Sequence, residues 1–530
     1  MQSKSAKQHR GTSWRLATAA GLLALAPGAT ANDFTLGENV RGYFTAALNY
    51  TAAMRAESQD PKLIDGPINP TTGLPSTANA DDGNRNFDSG SLINNRASVL
   101  GEFSLSGESW GVLLRGDAFY DEAYMGRNDN DSPDTINKSG ANDRFSDAAK
   151  SRQGRRIRLL DAYVYTDLRL GPTRLNLRAG QQVAAWGESL FFSGLASTQS
   201  PADATKANVA GTELESILLP VPQAAINWSL TPDLSLRAQY RFDFKATELD
   251  PPGSYFSYSD IVGPGAEFLL AAQLPGGGQL RAPRTADDEP SDHGQWGVGL
   301  DYQLTMTTSL GLFHVRYHNP NPAVITDFSN PAAPSYNIAY FEGIDMTALS
   351  LSTYVGAASI AAELSFRDGI DMLAGPQQAP VRGRVSQALV SALYTMSPNL
   401  LSEQIDLAGE AGVLRAHSLE QGGLSQLAGD RTSWAVSGTA TFNYRNIFPL
   451  WDLAVPLAYE AIVNGTPAVS GIFGSMVGEH DHRASIAADF VYLQDLEVGL
   501  SYNAFLGSAD LARRPLADRD YVALNVKYSF

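Results

Sequence analysis

The chain has no cysteine among its 530 residues. That excludes a disulfide scaffold, a thiolate zinc site and a cysteine nucleophile, and it suits a protein crossing an oxidising compartment. Basic residues are scarce: 39 Lys and Arg stand against 56 Asp and Glu, a net charge of -17. Phosphate backbones need a basic surface, so no nucleic-acid partner is expected, and acidic loops facing water account for the charge. Past the N-terminal region no apolar run reaches the roughly 20 residues of a membrane helix, so a membrane-embedded mature chain has to cross as strands. A GxSxG elbow, a Walker sequence and a complete GxGxxG are also missing. Nothing in the sequence supports an enzyme, and no catalytic residue or cofactor is assigned.

At the N-terminus, Lys4, Lys7, Arg10 and Arg15 precede the apolar run LATAAGLLALAPGATA, which closes on Ala29-Thr30-Ala31. This order of charge, apolar stretch and small-residue site predicts a secretory signal peptide over residues 1–31, cleaved near Ala31. A membrane anchor is the alternative, and the run is short for one and interrupted by Pro27.

Residues 32–530 alternate. In SWGVLLRGDAFY, Trp110, Val112, Leu114, Ala118 and Tyr120 oppose Arg115, Asp117 and Phe119. LSLRAQYRFDFK sets Leu234, Leu236, Ala238, Tyr240, Phe242 and Phe244 against Arg237, Gln239, Arg241, Asp243 and Lys245. About eighteen such stretches, roughly nine to fifteen residues each, match the length of tilted membrane strands. Short connections fall near 107–109, 171–173, 231–233, 305–309, Gly356, 397–401, 448–450 and 494–495. Long ones fall between them, at 57–90, 122–155, 187–221, 249–293, 319–336, 368–383, 418–432, 465–482 and 508–519. The pattern predicts an all-β fold: a single transmembrane antiparallel β-barrel of about eighteen strands, with periplasmic termini and long extracellular loops. The count becomes sixteen or eighteen according to whether 338–355 is one long strand or an extended loop and a shorter strand. A soluble propeller or sandwich also alternates; export signal, strand length, aromatic strand ends and alternating connection lengths together favour the barrel.

The last residues, YVALNVKYSF, place Val522, Leu524, Val526, Tyr528 and Phe530 towards lipid and Asn525 and Lys527 towards the lumen. This strand is expected to pair with the first, RGYFTAALNY, and so remove both edges. Its terminal aromatics, Tyr528 and Phe530, resemble the recognition signal of the outer-membrane assembly machinery, an expected partner along with outer-membrane lipid.

Alternation turns a set of charges inward, where a wide barrel keeps water or a plug. On the first half of the chain these are Arg115, Asp117, Asp161, Arg178, Arg237, Arg241, Asp243 and Lys245. The second half adds Asp301, Glu363, Arg367, Asp406 and Glu410. They read either as a lining that selects solutes or as a ladder of cross-strand ion pairs. Two loops are unusually apolar: 187–221, with Phe191 and Phe192, and 249–293, with Tyr255, Phe256, Tyr258 and Phe268. Such loops form a constriction inside the barrel, an external apolar landing surface, or an inert cap of mutually packed loops. Metal signals are weak: Glu479-His480-Asp481-His482 crowds its ligands, and the acidic run 129–134 lacks the glycine of an EF-hand, so no metal site is assigned.

Several segments, in order, resemble the Gram-negative outer-membrane family of unknown function DUF1302: MRAESQDPKLIDG, DDGNRNFDSGSLINNRASVLGEF, RLLDAYVYTDL, LRAGQQVAAWGES, LESILLPVPQ, FKATELDPPGSYFSYSDIVGPG and DRDYVALNVKYSF. Asn49-Tyr50-Thr51-Ala52 departs from the small-aromatic-Gly run expected after the first strand. The resemblance implies an outer-membrane barrel acting with a DUF1329-type periplasmic companion and an inner-membrane transporter of the resistance-nodulation-division (RND) type, in a system that handles hydrophobic or lipid-like compounds. It brings no catalytic or binding residues with it. The function expected is a channel or transport component for such compounds; the alternatives are a general diffusion porin and a structural docking protein for a periplasmic partner.

Overall fold

The computed structural model describes residues 32–213, 216–375 and 378–530. The segment expected to be a signal peptide lies outside them. The strands of the first half are β1 (Asn32–Leu36), β2 (Val40–Arg55), β3 (Leu92–Ser106), β4 (Trp110–Asp121), β5 (Arg155–Leu170), β6 (Thr173–Gln182), β7 (Val221–Ser229), β8 (Leu234–Arg241), β9 (Phe268–Gln273) and β10 (Gln279–Pro283). Next come β11 (Trp296–Gln303), β12 (Ser309–Tyr317), β13 (Ala323–Asp327), β14 (Ser335–Ala339), β15 (Ile344–Val355), β16 (Ala358–Ala374) and β17 (Ala379–Met396). The series ends with β18 (Gln404–Leu419), β19 (Thr432–Phe448), β20 (Trp451–Asn464), β21 (His482–Tyr492), β22 (Leu496–Leu506) and β23 (Tyr521–Ser529).

Eighteen of these, β2–β8, β11, β12 and β15–β23, pair each with the next, antiparallel, and β23 closes on β2 from Ala47↔Ser529 to Arg55↔Tyr521. The result is a closed barrel. Where β23 stops, Phe530 exchanges backbone hydrogen bonds of 2.8 and 2.9 Å with Ala46. Beyond that point β1 folds back and pairs Asn32–Leu36 with Phe44–Val40, so the same edge of β2 stays covered. An unpaired row of N–H and C=O groups has no water to turn to in lipid, and this arrangement leaves β2 without one. The hairpins β9–β10 and β13–β14 stand apart from the wall, inside loops.

The period of two sets the wall's two faces. Leu310 and Leu312, or Tyr120 and Ile157, are exposed on the outside, Ile157 by 86%, while Phe313, Val315 and Phe119 are buried on the inside. Among the described residues no helix is long and apolar enough to cross a membrane. Eight tight turns sit on one rim, together with the end of β1, the start of β2 and the end of β23. Long connections occupy the other rim. One expectation fails there: 368–383 is mostly strand, because β16 runs to Ala374 and β17 starts at Ala379. A bulge between Asp368 and Ile370, with Gly369 at φ +86°, absorbs the break in alternation that reads as a loop in the sequence. Residues 338–355 divide between β14 and β15, with residues 340–343 between them, and only β15 joins the barrel.

Three apolar cores result among the described residues. One lies inside the barrel, between the wall β12–β20 and two inward-folded loops. The second lies at the loop rim, where Phe87, Tyr124, Phe145 and Tyr255 of three loops meet Phe505 of β22 and Tyr521 of β23 in a cap, and the third gathers Leu74, Ala78, Phe268 and Leu270.

Candidate functional site

The connection between β6 and β7 enters the barrel and crosses it. On one side Glu410 of β18 accepts the backbone N–H groups of Leu190, Phe191 and Phe192 at 3.1, 2.8 and 2.8 Å. Glu363 of β16 accepts from Leu195 N at 2.7 Å and Glu188 N at 3.4 Å. Two carboxylates thus satisfy five amides that the irregular backbone cannot satisfy itself, in charge-assisted bonds. Arg367 completes the grip by donating to Ser193 O, Gly194 O and Gln387 Oε1. The fit needs glycine at two points: a Cβ on Gly187, whose φ is +93°, would lie 2.4 Å from Glu363 Oε2, and one on Gly194 would lie 2.7 Å from Oε1.

On the other side the same loop meets charged wall strands. Lys206 pairs with Asp117 of β4, and Asp203 with Arg158 of β5 at 2.6 Å. Arg158 also holds Asp117 at 2.8 Å. Asn49 and Thr51 of β2 donate to Ala210 O, and Lys527 of β23 pairs with Glu213 at 2.8 Å. Between the two walls Arg241 donates to Thr198 O, and Gln199 bridges Gln239 to the backbone of Trp186. One loop is therefore tied to strands on opposing sides of the lumen.

The interior is not polar all round. On β12–β20 the inward positions nearer the loop rim are Phe313, Val315, Ile344, Met346, Met372, Val385, Leu389, Leu414 and Ile462, all buried. Trp186, Phe192 and Leu195 of the inward loop pack on them, with Phe473 and Met476 of the 465–481 loop. Trp186 sits 5.8 Å from Phe313 and Phe192 5.2 Å from Phe473. Between and below these apolar residues run Glu363, Ser365, Arg367, Gln387, Ser391 and Glu410, all buried. Charged inward side chains lie on β3–β5 and between and below the seam residues. The seam itself departs from the expectation of a charged lining: its inward residues are apolar, while outward neighbours such as His314, Arg316, Thr347, Arg384 and Arg415 are polar, so the alternation is inverted there.

The inward candidates fall into groups. Arg115 pairs with Asp161 at 3.2 Å and with Glu102 at 2.6 Å; a bulge opposite Arg115 re-phases β5 so that Asp161 can face it. Arg237 of β8 pairs with Asp301 of β11 at 2.6 Å. Glu363, Arg367 and Glu410 converge on the loop, and Asp117 reaches it through Lys206. Arg178 lies over the Tyr163 ring at 5.7 Å, and Asp406, lower on β18, accepts from Thr395 and Asn443 at 2.8 Å each. Neither bonds the loop among the described residues. Asp243 and Lys245 are not on the wall, which corrects the reading of LSLRAQYRFDFK as one strand. β8 ends at Arg241, and Lys245 Nζ donates to Pro220 O.

Of the apolar loop residues, Phe192 is inside the barrel and Phe191 is partly exposed beside it. Tyr255 and Phe256 belong to the cap, stacked edge to face at 4.9 Å, and Tyr258 is exposed. Phe268 opens β9 under the guanidinium of Arg281. The 249–293 segment therefore builds the rim and not the constriction. The rings of Tyr528 and Phe530 are 5.9 Å apart at the turn rim. Glu102, Arg158, Asp203 and Lys206 were missed by sequence reasoning. The bulge puts Arg158 out of phase with Asp161, and Asp203 and Lys206 sit in a segment with no period to read.

The family model described as "Protein of unknown function (DUF1302)" matches residues 13–530. No curated relative matches the chain. Solved structures similar to it include OccK9 (OpdG) of Pseudomonas aeruginosa, 14% identical, with 92% of this chain and 98% of that one covered at a TM-score of 0.41. Acinetobacter baumannii OccAB1 is 10% identical, with 92% and 96% covered and a TM-score of 0.45. The outer membrane channel DcaP of Acinetobacter baumannii is 10% identical, with 94% and 99% covered and a TM-score of 0.37.

Proposed function

The chain belongs to the DUF1302 family, and from that premise we propose that it is an outer-membrane channel or transport component for hydrophobic, lipid-like organic molecules. The observation that carries this reading is the apolar seam inside a membrane-type barrel. A conduit for sugars or ions would keep its interior wet, whereas an apolar solute is drawn to a surface that water leaves willingly. The inward loop is the element that a solute displaces, since it packs on the seam through Trp186, Phe192 and Leu195 yet is held to the walls by ion pairs and hydrogen bonds. The turn rim lies in the periplasm and the loop cap outside, the usual order for barrels with short turns on one side. There a DUF1329-type companion and an inner-membrane RND-type transporter would pass cargo along, the partnership that the family implies. The mature chain starts after a signal peptide ending near Ala31.

A loop tied across the lumen speaks against a wide, solute-indifferent porin. The test is uptake of a steroid-like probe and of a small sugar by proteoliposomes. Protein-dependent entry of the steroid alone is expected; equal entry of both would identify a porin, and entry of neither a docking protein.

A further inference from the structure

The loop-rim cap holds a feature that the transport reading does not use. Asp81 and Asp82 lie between β2 and β3, and Asp260, 178 residues beyond Asp82, lies between β8 and β11. One carboxylate oxygen from each is within 4.8 Å of the other two. All are closed off from solvent: Asp81 and Asp260 are 0% exposed and Asp82 2%.

Their partners do not balance three negative charges. Asp81 Oδ2 accepts from Arg85 Nε at 2.5 Å, but Arg85 also serves Asp65. Asp82 Oδ1 and Oδ2 accept from Asn130 Nδ2 and Asn137 N at 3.1 and 3.4 Å. Lys138 acts on Asp82 electrostatically, but its ammonium donates to Ala141 O instead. Asp260 Oδ2 accepts from the backbone of Asp82 at 3.1 Å. Asp81 Oδ1 and Asp260 Oδ1 are buried and make no hydrogen bond within 3.5 Å, with only the Thr135 hydroxyl beside Asp81 and the Asp81 backbone N–H beside Asp260. A carboxylate oxygen without a partner in a dry site costs far more than one that is hydrogen-bonded, so something must compensate both.

We propose that Asp81, Asp82 and Asp260 form a calcium site that pins the loops 56–91 and 242–295 together, with the loop 122–154 wrapped around it. Ligand oxygens on one ion at about 2.4 Å can be no more than about 4.8 Å apart, and the three oxygens lie within that limit of one another. The donors are all hard oxygens, with no His or Cys among them, which disfavours zinc and copper. Calcium accepts six to eight oxygens in irregular geometry, whereas magnesium demands a near-octahedral shell and retains its waters; donors gathered from distant loops suit calcium. The two orphan oxygens become ligands, and the doubly hydrogen-bonded Asp82 carboxylate keeps lone pairs free for a third bond. Without the ion the cluster has to hold protons: burial, first of all, pushes Asp81 up to about 7, Asp82 up to about 6 and Asp260 well above the ordinary carboxylate value.

Equilibrium dialysis of calcium against the full mature chain, refolded in detergent free of lipopolysaccharide, tests this. Expected are one calcium per chain at pH 7.5, at least tenfold weaker binding at pH 5.5, and loss of that calcium in Asp260→Asn, with the barrel still folded by its heat-dependent gel shift. Asp81→Asn is a second variant should Asp260→Asn fail to assemble, and it is expected to lose the ion as well. No bound calcium in the wild type would overturn the proposal in favour of shared protons. So would an unchanged stoichiometry in the folded variants, or an equal preference for magnesium.

Discussion

Glu410 illustrates how one carboxylate positions a functional segment. Three amides of the inward loop converge on it, so Glu410→Ala leaves three backbone donors, that of Phe192 buried, without a partner. The cost is expected to be about 2 kcal/mol or more, read as a lower thermal midpoint, with faster protease cleavage within 183–220. Gly187→Ala should act in the same direction by a different route, because its left-handed backbone and the contact with Glu363 both reject a methyl group. A cleavage rate equal to wild type in both variants would mean that the wall does not hold the loop. At this scale Glu363, Arg367 and Glu410 are legible in the sequence because β16 and β18 alternate cleanly through them. Asp243 and Lys245 are not. The period continues past Arg241, whereas the pairing with β11 stops there, and pairing is a property of the neighbour. Asp81, Asp82 and Asp260 are likewise unreadable as a group, since only tertiary folding brings them together.

Strands and turns are the most legible level. The eight short connections fall where the residues GES, GPT, TPD and their like place them, because turn chemistry is local. The course of the long loops is set by whichever wall residues they meet, and their own sequences show only that 187–221 is rich in apolar side chains. At the C-terminal element, Phe530 exchanges two hydrogen bonds with Ala46 and hands the edge of β2 over to β1. Deleting Phe530 is expected to lower the amount of folded protein in the outer membrane several-fold by immunoblot, more than deleting residues 32–36, which removes the covering strand but keeps the terminal aromatic. Equal levels for all three chains would contradict this.

For the molecule as a whole, the cap and the lumen respond to different variables. In chelator the acid cluster binds protons more tightly folded than unfolded, so the cap's stability is greatest near pH 4 and declines as pH rises through about 7. Protease release of the loops 56–91 and 242–295 should accordingly accelerate from pH 5 to pH 8 in chelator and stay flat in calcium. The lumen should respond less, since Glu363, Arg367 and Glu410 grip the inward loop from wall strands outside the cap, while its 202–210 stretch also bonds Glu248 and Tyr521 of the cap. The central claim concerns what passes through it. Uptake of a fluorescent steroid-like probe into proteoliposomes, measured beside a small sugar and repeated with Glu410→Ala, addresses it directly. The account predicts entry of the probe but not of the sugar in the wild type, and faster probe entry once the loop is released. Sugar entry matching that of the probe, or no entry of either in both proteins, would contradict it.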